Sequence, residues 1–273
     1  MDLLKKEFIR EFIDITNEGY QKGWHERNGG NASYRIKPEE IESVRSYLTY
    51  DKQYEKIGVS IANLAKEYFL ITGSGKHFRN IKSKPEENIA IIEIDSLGEN
   101  YRVVWGLSKG GRPTSELPTH LMNHSVKKDR TRNKHRVIYH CHPANVIALT
   151  FVLPLEDAVF TRELWEMATE CPVVFPDGIG VVDWMVPGGR DIAVATSKLM
   201  EKYNVAIWAH HGIFCSGEDF DETFGLVETV EKSAEILVKV LGMRNEKRQT
   251  ITTQNLRSLG KDFNVSLPEE FLI

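Results

Sequence analysis

Hydrophobic residues recur with a helical period in several stretches of the chain. From Leu4 to Ile15 they fall at three- or four-residue intervals, which predicts an amphipathic helix over residues 2–22, closed by Gly23. The same spacing predicts further helices within residues 157–169, 190–203 and 219–242. Helices of this kind bury one face, so they need a partner layer to cover.

Short runs rich in β-branched and aromatic residues lie between these helical segments. They predict strands at residues 33–36, 68–72, 88–94, 101–105, 136–141 and 205–209. The third and fourth of these strands form a predicted hairpin, because turn-forming residues at 95–98 join them. Strands and helices are interspersed, so the pattern predicts an α/β protein with a mixed or antiparallel central sheet covered by helices.

Length, charge and cysteine usage narrow the class of protein. A chain of 273 residues with a net charge of −4 offers no basic field for nucleic acid or for an anionic membrane. Its longest apolar stretch, residues 146–155, is too short to span a membrane, and the first residues lack the apolar core of a signal peptide. The three cysteines form neither a disulfide framework nor a CxxC pair. We therefore expect a cytoplasmic protein and, without a linker or repeat, a single domain over residues 1–273.

Two histidines in a predicted strand form a candidate metal pair. His140 and His142 are two residues apart, so they project from the same side of the strand while Cys141 points away. Neutral imidazoles side by side favour zinc and neighbouring metals. A second apolar strand ends in His210 and His211, and strand alternation does not choose between these two as a third ligand. The other histidines are interpreted as solvated or packed side chains: His25, His77, His120, His124 and His135.

Two glycine-containing loops next to strands are candidate phosphate sites. Residues 28–31 and residues 72–76 both expose backbone amides that a phosphate can approach closely. The second loop is neither a P-loop nor a dinucleotide fingerprint, because His77 and Phe78 stand where those motifs need a hydroxyl residue and a glycine. Each loop alone is typical of a plain turn.

One carboxylate stands out, although on the residues alone a structural role at a helix start explains it better. Glu116 follows Thr114 and Ser115 at the predicted start of a helix that runs to about Lys127, a common structural place for glutamate. Taken together with both glycine loops, the two hydroxyl residues strengthen the prediction of a phosphate pocket. Glu170, which precedes a cysteine and a proline, is a weaker candidate.

With these features assembled, the chain resembles the class II aldolase family over nearly its whole length. The resemblance rests on several blocks in the same order along the chain: residues 23–31, 72–76, 78–80, 113–118, 140–142, 158–162, 173–178, 184–188 and 221–226. It implies a single-domain α/β/α fold with a mainly antiparallel central sheet, assembled as a homotetramer, and a lyase that cleaves a ketose 1-phosphate.

The resemblance also implies a role for each candidate residue. One Zn²⁺ per subunit falls on His140, His142 and His211, and Glu116 falls on the catalytic general acid/base beside a metal-stabilised enediolate. Glu170 matches a second acidic residue near the site. The implied phosphate-binding residues are Asn28, Gly30, Asn31, Ser74, Gly75, Thr114 and Ser115.

Three alternative functions share parts of this pattern. L-Fuculose-phosphate aldolases and ribulose-phosphate epimerases use the same metal and phosphate chemistry, and only the resemblance at residues 158–162 and 221–226 disfavours them. A zinc hydrolase would use three histidines and a glutamate but leaves both glycine loops unexplained. A non-catalytic binding module, as in the adducin head domain, has the fold without the metal site.

Overall fold

A computed structural model describes residues 3–244 and 246–272. Its strands are β1 (Asn31–Arg35), β2 (Glu55–Lys56), β3 (Tyr68–Thr72), β4 (Ile89–Ile94), β5 (Asn100–Gly106), β6 (Val137–Cys141), β7 (Gly180–Val182), β8 (Val205–Trp208) and β9 (Gly212–Gly217). Within the described residues they form one nine-stranded sheet in the order β2-β5-β4-β3-β1-β6-β9-β8-β7. All neighbours pair antiparallel except β7 and β8, so the prediction of a mainly antiparallel sheet is confirmed.

Helices connect the strands. They are α1 (Glu7–Gln21), α2 (Pro38–Val44), α3 (Phe78–Ile81), α4 (Pro85–Asn88), α5 (Leu117–Arg130), α6 (Ala144–Leu149), α7 (Asp157–Trp165), α8 (Cys171–Val174), α9 (Arg190–Met200), α10 (Phe220–Met243) and α11 (Thr253–Asp262). The predicted first helix is shorter than expected: a 3-10 turn at Leu3–Lys5 precedes α1, and Asp2 lies outside the described residues. None of the described helices is both long and apolar enough to cross a membrane.

The sheet carries a helical layer on each face, because its strands alternate apolar residues between two cores. Val137, Tyr139 and Cys141 of β6 join the core shared with α1, α7 and α10. Ile138 lies on the opposite face, in a core that includes Ile192 and Met200 of α9. On that face α5 packs against the other half of the sheet. The expected α/β/α arrangement is therefore confirmed, with the polar His140 on the α5 side of β6.

The antiparallel pairing brings several strand ends to one edge of the sheet. Asn31 at the start of β1 pairs with His140 near the end of β6. Thr72 ends the neighbouring β3, and Gly212 begins β9 opposite the last residue of β8. The two predicted glycine loops, His142 and His211 lie in the connections at this edge, and His140 lies near the end of β6. The fold thus places the candidate residues together although they are far apart in sequence.

Candidate active site

Three histidines form a cluster at this edge of the sheet. Within the described residues His140, His142 and His211 make up a group whose candidate ligand atoms all lie within 4.8 Å of one another. His140 is fully buried in β6, where its ring stacks on Phe214 at a centroid distance of 4.2 Å. His142 lies just beyond the strand end, where its backbone N–H donates to the Trp24 carbonyl. This geometry is the one that the two-residue spacing predicts.

The hydrogen bonds of the cluster fit a bound cation. The His140 Nδ1 donates to the Ile213 carbonyl at 2.9 Å, and the His142 Nδ1 donates to a Glu26 carboxylate oxygen at 2.7 Å. With both Nδ1 protons engaged, two Nε2 lone pairs face each other across 3.3 Å. Two nitrogens bound at about 2.0–2.1 Å to a tetrahedral zinc ion are themselves about 3.3 Å apart. The donor set therefore fits a zinc-type metal without rearrangement of this pair.

The electrostatics of the cluster favour the neutral histidines that metal binding requires. Burial lowers the pKa of His140 well below its usual range, and the nearby His142 and His211 lower it further. Burial likewise lowers the pKa of His211 to about 4, with a smaller contribution from His142. Protons therefore compete weakly for these two nitrogens near neutral pH.

The structure separates the two adjacent histidines of the β8–β9 turn. His211 faces the cluster, with ring centroids 5.1 Å from His140 and 4.9 Å from His142. His210 is exposed, has a left-handed backbone with φ of 59°, and contacts Thr150 and Phe151 instead. The choice of His211 thus agrees with the geometry of the turn.

The Glu116 side chain is buried beside the cluster rather than capping the helix at whose start it lies. Glu116 precedes the first residue of α5, but its side chain makes no capping hydrogen bond. One carboxylate oxygen accepts a 2.8 Å hydrogen bond from the Asn31 side-chain amide, and the same oxygen lies 3.6 Å from the His140 Nε2. Burial raises the pKa of Glu116 to about 7, while the bond from Asn31 opposes the rise. A carboxyl group with such a pKa can both donate and accept a proton near neutral pH.

The predicted phosphate-binding residues lie on loops at the same edge. Gly73 pairs with Pro113 in an isolated bridge, and the Ser74 backbone N–H donates to the Arg112 carbonyl, so the two hydroxyl-bearing loops are neighbours. Ser74, Gly75, Ser115 and Asn28 are exposed, whereas Thr114 and Asn31 are buried. The Thr114 hydroxyl accepts from the Glu116 backbone N–H at 3.2 Å, which ties this loop to the catalytic candidate.

Glu170 lies apart from these contacts. It precedes α8 and lines a surface cleft of about 630 Å³ together with Lys22, Trp24 and Glu228. The cleft and the histidine cluster share one segment, because Trp24 lines the first while its carbonyl accepts from His142. Among the described residues, no hydrogen bond or ion pair joins Glu170 to the three histidines.

Glu26 and His25 are site residues that the sequence motifs did not single out. Glu26 orients the His142 ring across 116 positions of sequence, a contact that local spacing cannot indicate. His25 is buried, and its ring stacks on that of Phe78 with the two centroids 3.7 Å apart. Its ring nitrogens contact the Gly29 carbonyl and the Tyr139 hydroxyl. It therefore holds the loop of residues 28–31 against the sheet.

Comparisons with known proteins agree with this geometry. A family model described as Class II Aldolase and Adducin N-terminal domain matches residues 10–238. The chain belongs to the class II aldolase family. This family is metal-dependent, and the three histidines give the chain a possible metal site.

Within the family, the relatives share most of this chain. The rhamnulose-1-phosphate aldolase of Pectobacterium atrosepticum is 47% identical over 264 residues, which are 97% of this chain and 96% of the relative. The same sequence blocks that indicate the family resemble L-rhamnulose-1-phosphate aldolase in particular, and this relative confirms that resemblance.

Solved structures share the fold. A sugar-phosphate aldolase from Thermotoga maritima has a TM-score of 0.70 and 28% identity, covering 88% of this chain and 97% of that one. An L-fuculose-1-phosphate aldolase from Thermus thermophilus has a TM-score of 0.58 and 20% identity, covering 88% of this chain and 97% of that one. The second likeness is one of fold alone.

Proposed function

We propose that this chain is a zinc-dependent lyase that reversibly cleaves L-rhamnulose 1-phosphate to dihydroxyacetone phosphate and L-lactaldehyde in rhamnose degradation. The observation that carries the proposal is a buried carboxylate next to a three-histidine cluster: the Glu116 oxygen lies 3.6 Å from the His140 Nε2. The substrate follows from the names of relatives that align with nearly the whole chain.

His140, His142 and His211 would hold one zinc ion per subunit. When bound, the ion would supply positive charge that stabilises the electron pair left on the dihydroxyacetone phosphate fragment after carbon–carbon cleavage. Because the three imidazoles are neutral, they do not offset that charge, and three protein ligands leave a coordination position open. Schiff-base chemistry by a lysine is not required.

Glu116 would transfer the proton to and from carbon C3 of the substrate. Cleavage breaks the C3–C4 bond of the ketose, so the C4 hydroxyl loses a proton as it becomes the aldehyde and C3 gains one. We assign the proton delivered to C3 to Glu116, which removes it again in the synthetic direction. Its burial and its hydrogen bond from Asn31 fix the carboxylate at one edge of the cluster. Glu170 stays a predicted second acidic residue.

The phosphate would bind on the neighbouring loops. The exposed Ser74, Gly75 and Ser115 lie on adjoining loops at the site edge, and the loop of residues 28–31 lies at the same edge. A phosphate held there is a remote anchor that positions the reacting carbons. The full set of phosphate residues named from the resemblance stays a prediction, because the Asn31 side chain already contacts Glu116 and His120.

The first experiment separates chemistry from folding. We expect Glu116→Gln to keep its zinc and its unfolding temperature but to lose most of its turnover, because glutamine occupies the same volume without a transferable proton. Release of dihydroxyacetone phosphate is followed from L-rhamnulose 1-phosphate and from L-fuculose 1-phosphate, before and after chelation. Full activity of the variant would contradict the role of Glu116. Activity that does not change on chelation would contradict the role of the metal.

The substrate comparison also tests the rival functions. Faster cleavage of L-fuculose 1-phosphate would favour the fuculose-phosphate aldolase alternative, and absence of bound zinc in the purified protein would favour a binding module. We further propose a homotetramer in the cytoplasm, with one functional domain over residues 1–273. The three cysteines are free and buried, as suits a reducing compartment.

A further inference from the structure

A chain of buried polar side chains runs from Glu116 into the interior between α5 and β1. Glu116, His120 and His124 recur every four residues along one face of the helix, while Asn31 and Ser33 project from the same face of the strand. The five side chains interleave, and each is buried. A helix packed on a sheet ordinarily buries an apolar interface. These five buried polar side chains, which we call the polar zipper, therefore require their own explanation.

The hydrogen bonds of the zipper connect every neighbouring pair. The Asn31 Nδ2 donates to Glu116 at 2.8 Å, and the Asn31 Oδ1 is in short contact with the His120 Nε2. The Ser33 hydroxyl lies 2.6 Å from the His120 Nδ1 and 2.8 Å from the His124 Nε2. The far end of the zipper is the His124 Nδ1, which lacks a hydrogen-bond partner within the described residues.

While Glu116 is ionised, only one arrangement of protons satisfies all of these bonds. An ionised carboxylate can only accept, so Glu116 requires the amide NH₂ of Asn31. The Asn31 Oδ1 can then only accept, so His120 must carry its proton on Nε2. The His120 Nδ1 is left as an acceptor for the Ser33 hydroxyl, whose oxygen in turn accepts from the His124 Nε2. Every bond therefore donates toward Glu116.

Burial keeps His120 in the neutral form that this arrangement requires. Desolvation lowers the pKa of His120 to about 3, and it lowers the pKa of His124 well below its usual range. In the neutral His124 with its proton on Nε2, the unpartnered Nδ1 is an acceptor rather than a donor. A buried acceptor without a partner is more common in proteins than a buried donor without one.

We propose that His120 is a positioning residue for the aldol reaction: it donates from Nε2 to the Asn31 Oδ1 and so fixes which end of the Asn31 amide faces Glu116. An Asn31 amide free to rotate could present its oxygen to the carboxylate, and the two acceptors would repel. The Glu116 oxygen would then leave its place beside His140. This inference rests on the proposed role of Glu116, because it concerns the aim of that carboxylate.

Two substitutions of the same histidine separate positioning from packing. In His120→Gln the side-chain nitrogen can occupy the Nε2 position and still donate to Asn31, but the bond to Ser33 is lost. In His120→Asn the shorter amide reaches the Nδ1 position, so the bond to Ser33 can remain and the donor to Asn31 is lost. Each variant loses one of the two bonds, so a purely structural role predicts similar losses of stability and activity.

We expect the two variants to differ in turnover. His120→Gln should retain kcat within about threefold, whereas His120→Asn should lower kcat by about tenfold or more with a smaller change in KM and unchanged zinc content. His135→Asn is the matched control, because His135 is also buried and hydrogen-bonded but contacts Ser216, away from the zipper. Equal kcat values for the two His120 variants would overturn the proposal.

A partial reaction distinguishes failure of this inference from failure of the proposed function. Exchange of the C3 proton of bound dihydroxyacetone phosphate (the carbon that the aldol reaction bonds) with solvent deuterium, followed by NMR, reports the carbon-centred proton transfer alone. We expect slow exchange in both Glu116→Gln and His120→Asn. Normal exchange in Glu116→Gln would refute the role of Glu116 itself, whereas slow exchange in Glu116→Gln with normal exchange in His120→Asn would refute only the positioning role.

The proton arrangement can also be observed without turnover. Two-bond ¹H–¹⁵N correlation spectra of metal-free, histidine-labelled protein at pH 8 distinguish the two neutral tautomers, and the His120 signals are those absent from His120→Gln. We expect the Nε2–H tautomer for His120. The Nδ1–H tautomer, or a mixture of the two, would contradict the directed zipper.

Discussion

At the scale of single residues, the two histidines of the β6 end are held in different ways. The His140 Nδ1 donates to a backbone carbonyl inside the sheet, whereas the His142 Nδ1 donates to the side chain of Glu26. A backbone carbonyl cannot be removed by substitution, but a side chain can. Glu26 is therefore the accessible test of how ligand orientation contributes to metal binding.

We predict that Glu26→Gln weakens zinc binding by about ten- to a hundredfold without unfolding the protein. The amide loses the negative charge that raises the basicity of His142, and the 67% exposed side chain contributes little to the core. Zinc affinity is measured by competition with a chromophoric chelator. Glu39→Gln, an exposed change in the first turn of α2, is the control. Equal affinities for both variants would show that Glu26 does not tune the site.

The adjacent histidines of the β8–β9 turn give a second residue-scale prediction. We expect His211→Ala to lose bound zinc, because it removes one of the three clustered ligands. His210→Ala should keep the metal, since His210 is exposed and contacts Thr150 and Phe151. Metal analysis of both purified variants checks this pair, and zinc retained by the His211 variant would contradict the assignment.

At the scale of elements, the glycine loops differ in what they require. Gly30 has a φ of 74°, and a Cβ there would meet the His25 Nδ1 at 2.4 Å and the His140 carbonyl at 2.7 Å. Gly75 has a φ of 68° but open space around it. The first glycine is thus required by close packing as well as by its backbone conformation, and the second by conformation alone.

We predict that Gly30→Ala destabilises the protein by clearly more than Gly75→Ala, which should cost about 1 kcal/mol for its left-handed backbone. The Gly30 variant must also displace His25 or the end of β6, so we expect it to lose zinc affinity as well. Urea unfolding and zinc titration of the two variants provide the comparison. Equal free energies of unfolding would mean that the loop of residues 28–31 adapts without cost.

Local patterns predicted six of the nine strands but only five of the eleven α-helices among the described residues, and the exceptions are mostly short elements. Alternation placed Cys141 on the face opposite His140, and the structure buries Cys141 in the core of that face. The strand β9 was not predicted, because a glycine directly after two histidines, as at Gly212, is typical of a turn. The three-residue β7 is too short to show a period. Such elements are fixed by pairing with their neighbours rather than by their own sequence.

The same limit applies to the site. The histidine pair is visible in sequence because two ligands share one strand, whereas Glu26 acts across a long separation. His120 and His124 were interpreted as solvated or packed side chains, and the structure buries both. Their four-residue spacing from Glu116 is visible in the sequence, but its meaning depends on β1 lying against the same helix face.

At the scale of the whole molecule, the protein buries several histidines that must stay neutral. Desolvation lowers the pKa of His25 to about 3 and of His120 to about 3. It lowers the pKa of His135 to about 4, where Lys127 and Lys134 add to the shift and Glu218 opposes it. Stability should therefore depend on pH in the acid range, since these side chains bind protons in the unfolded chain first.

The sign of this dependence follows from the direction of the shifts. Below pH 6.5 the unfolded chain takes up protons that the folded chain refuses, so the free energy of unfolding falls as the pH drops toward 4. Each histidine that is charged only when unfolded contributes about 1.4 kcal/mol per pH unit. Glu116 contributes with the opposite sign, because its raised pKa of about 7 lets the folded chain bind a proton first. The pKa is raised in the same way for Glu11 and Glu231, and it is lowered for six histidines in all: His25, His120, His124, His135, His140 and His211. The six histidines outweigh the three carboxyl groups, so a net loss of stability is expected.

A single substitution isolates one proton of this balance. His135 lies away from the histidine cluster, and its Nδ1 contacts the Ser216 hydroxyl at 3.0 Å. In His135→Asn the amide can keep that contact but cannot bind a proton. Between pH 6.5 and 4 the free energy of unfolding of this variant should therefore fall less steeply with pH than that of the parent, and the two slopes should differ by nearly the contribution of one bound proton. Urea unfolding of metal-free protein across this range measures the difference. Parallel curves for the variant and the parent would mean that His135 is protonated in the folded protein, which would contradict the burial cost on which the prediction rests.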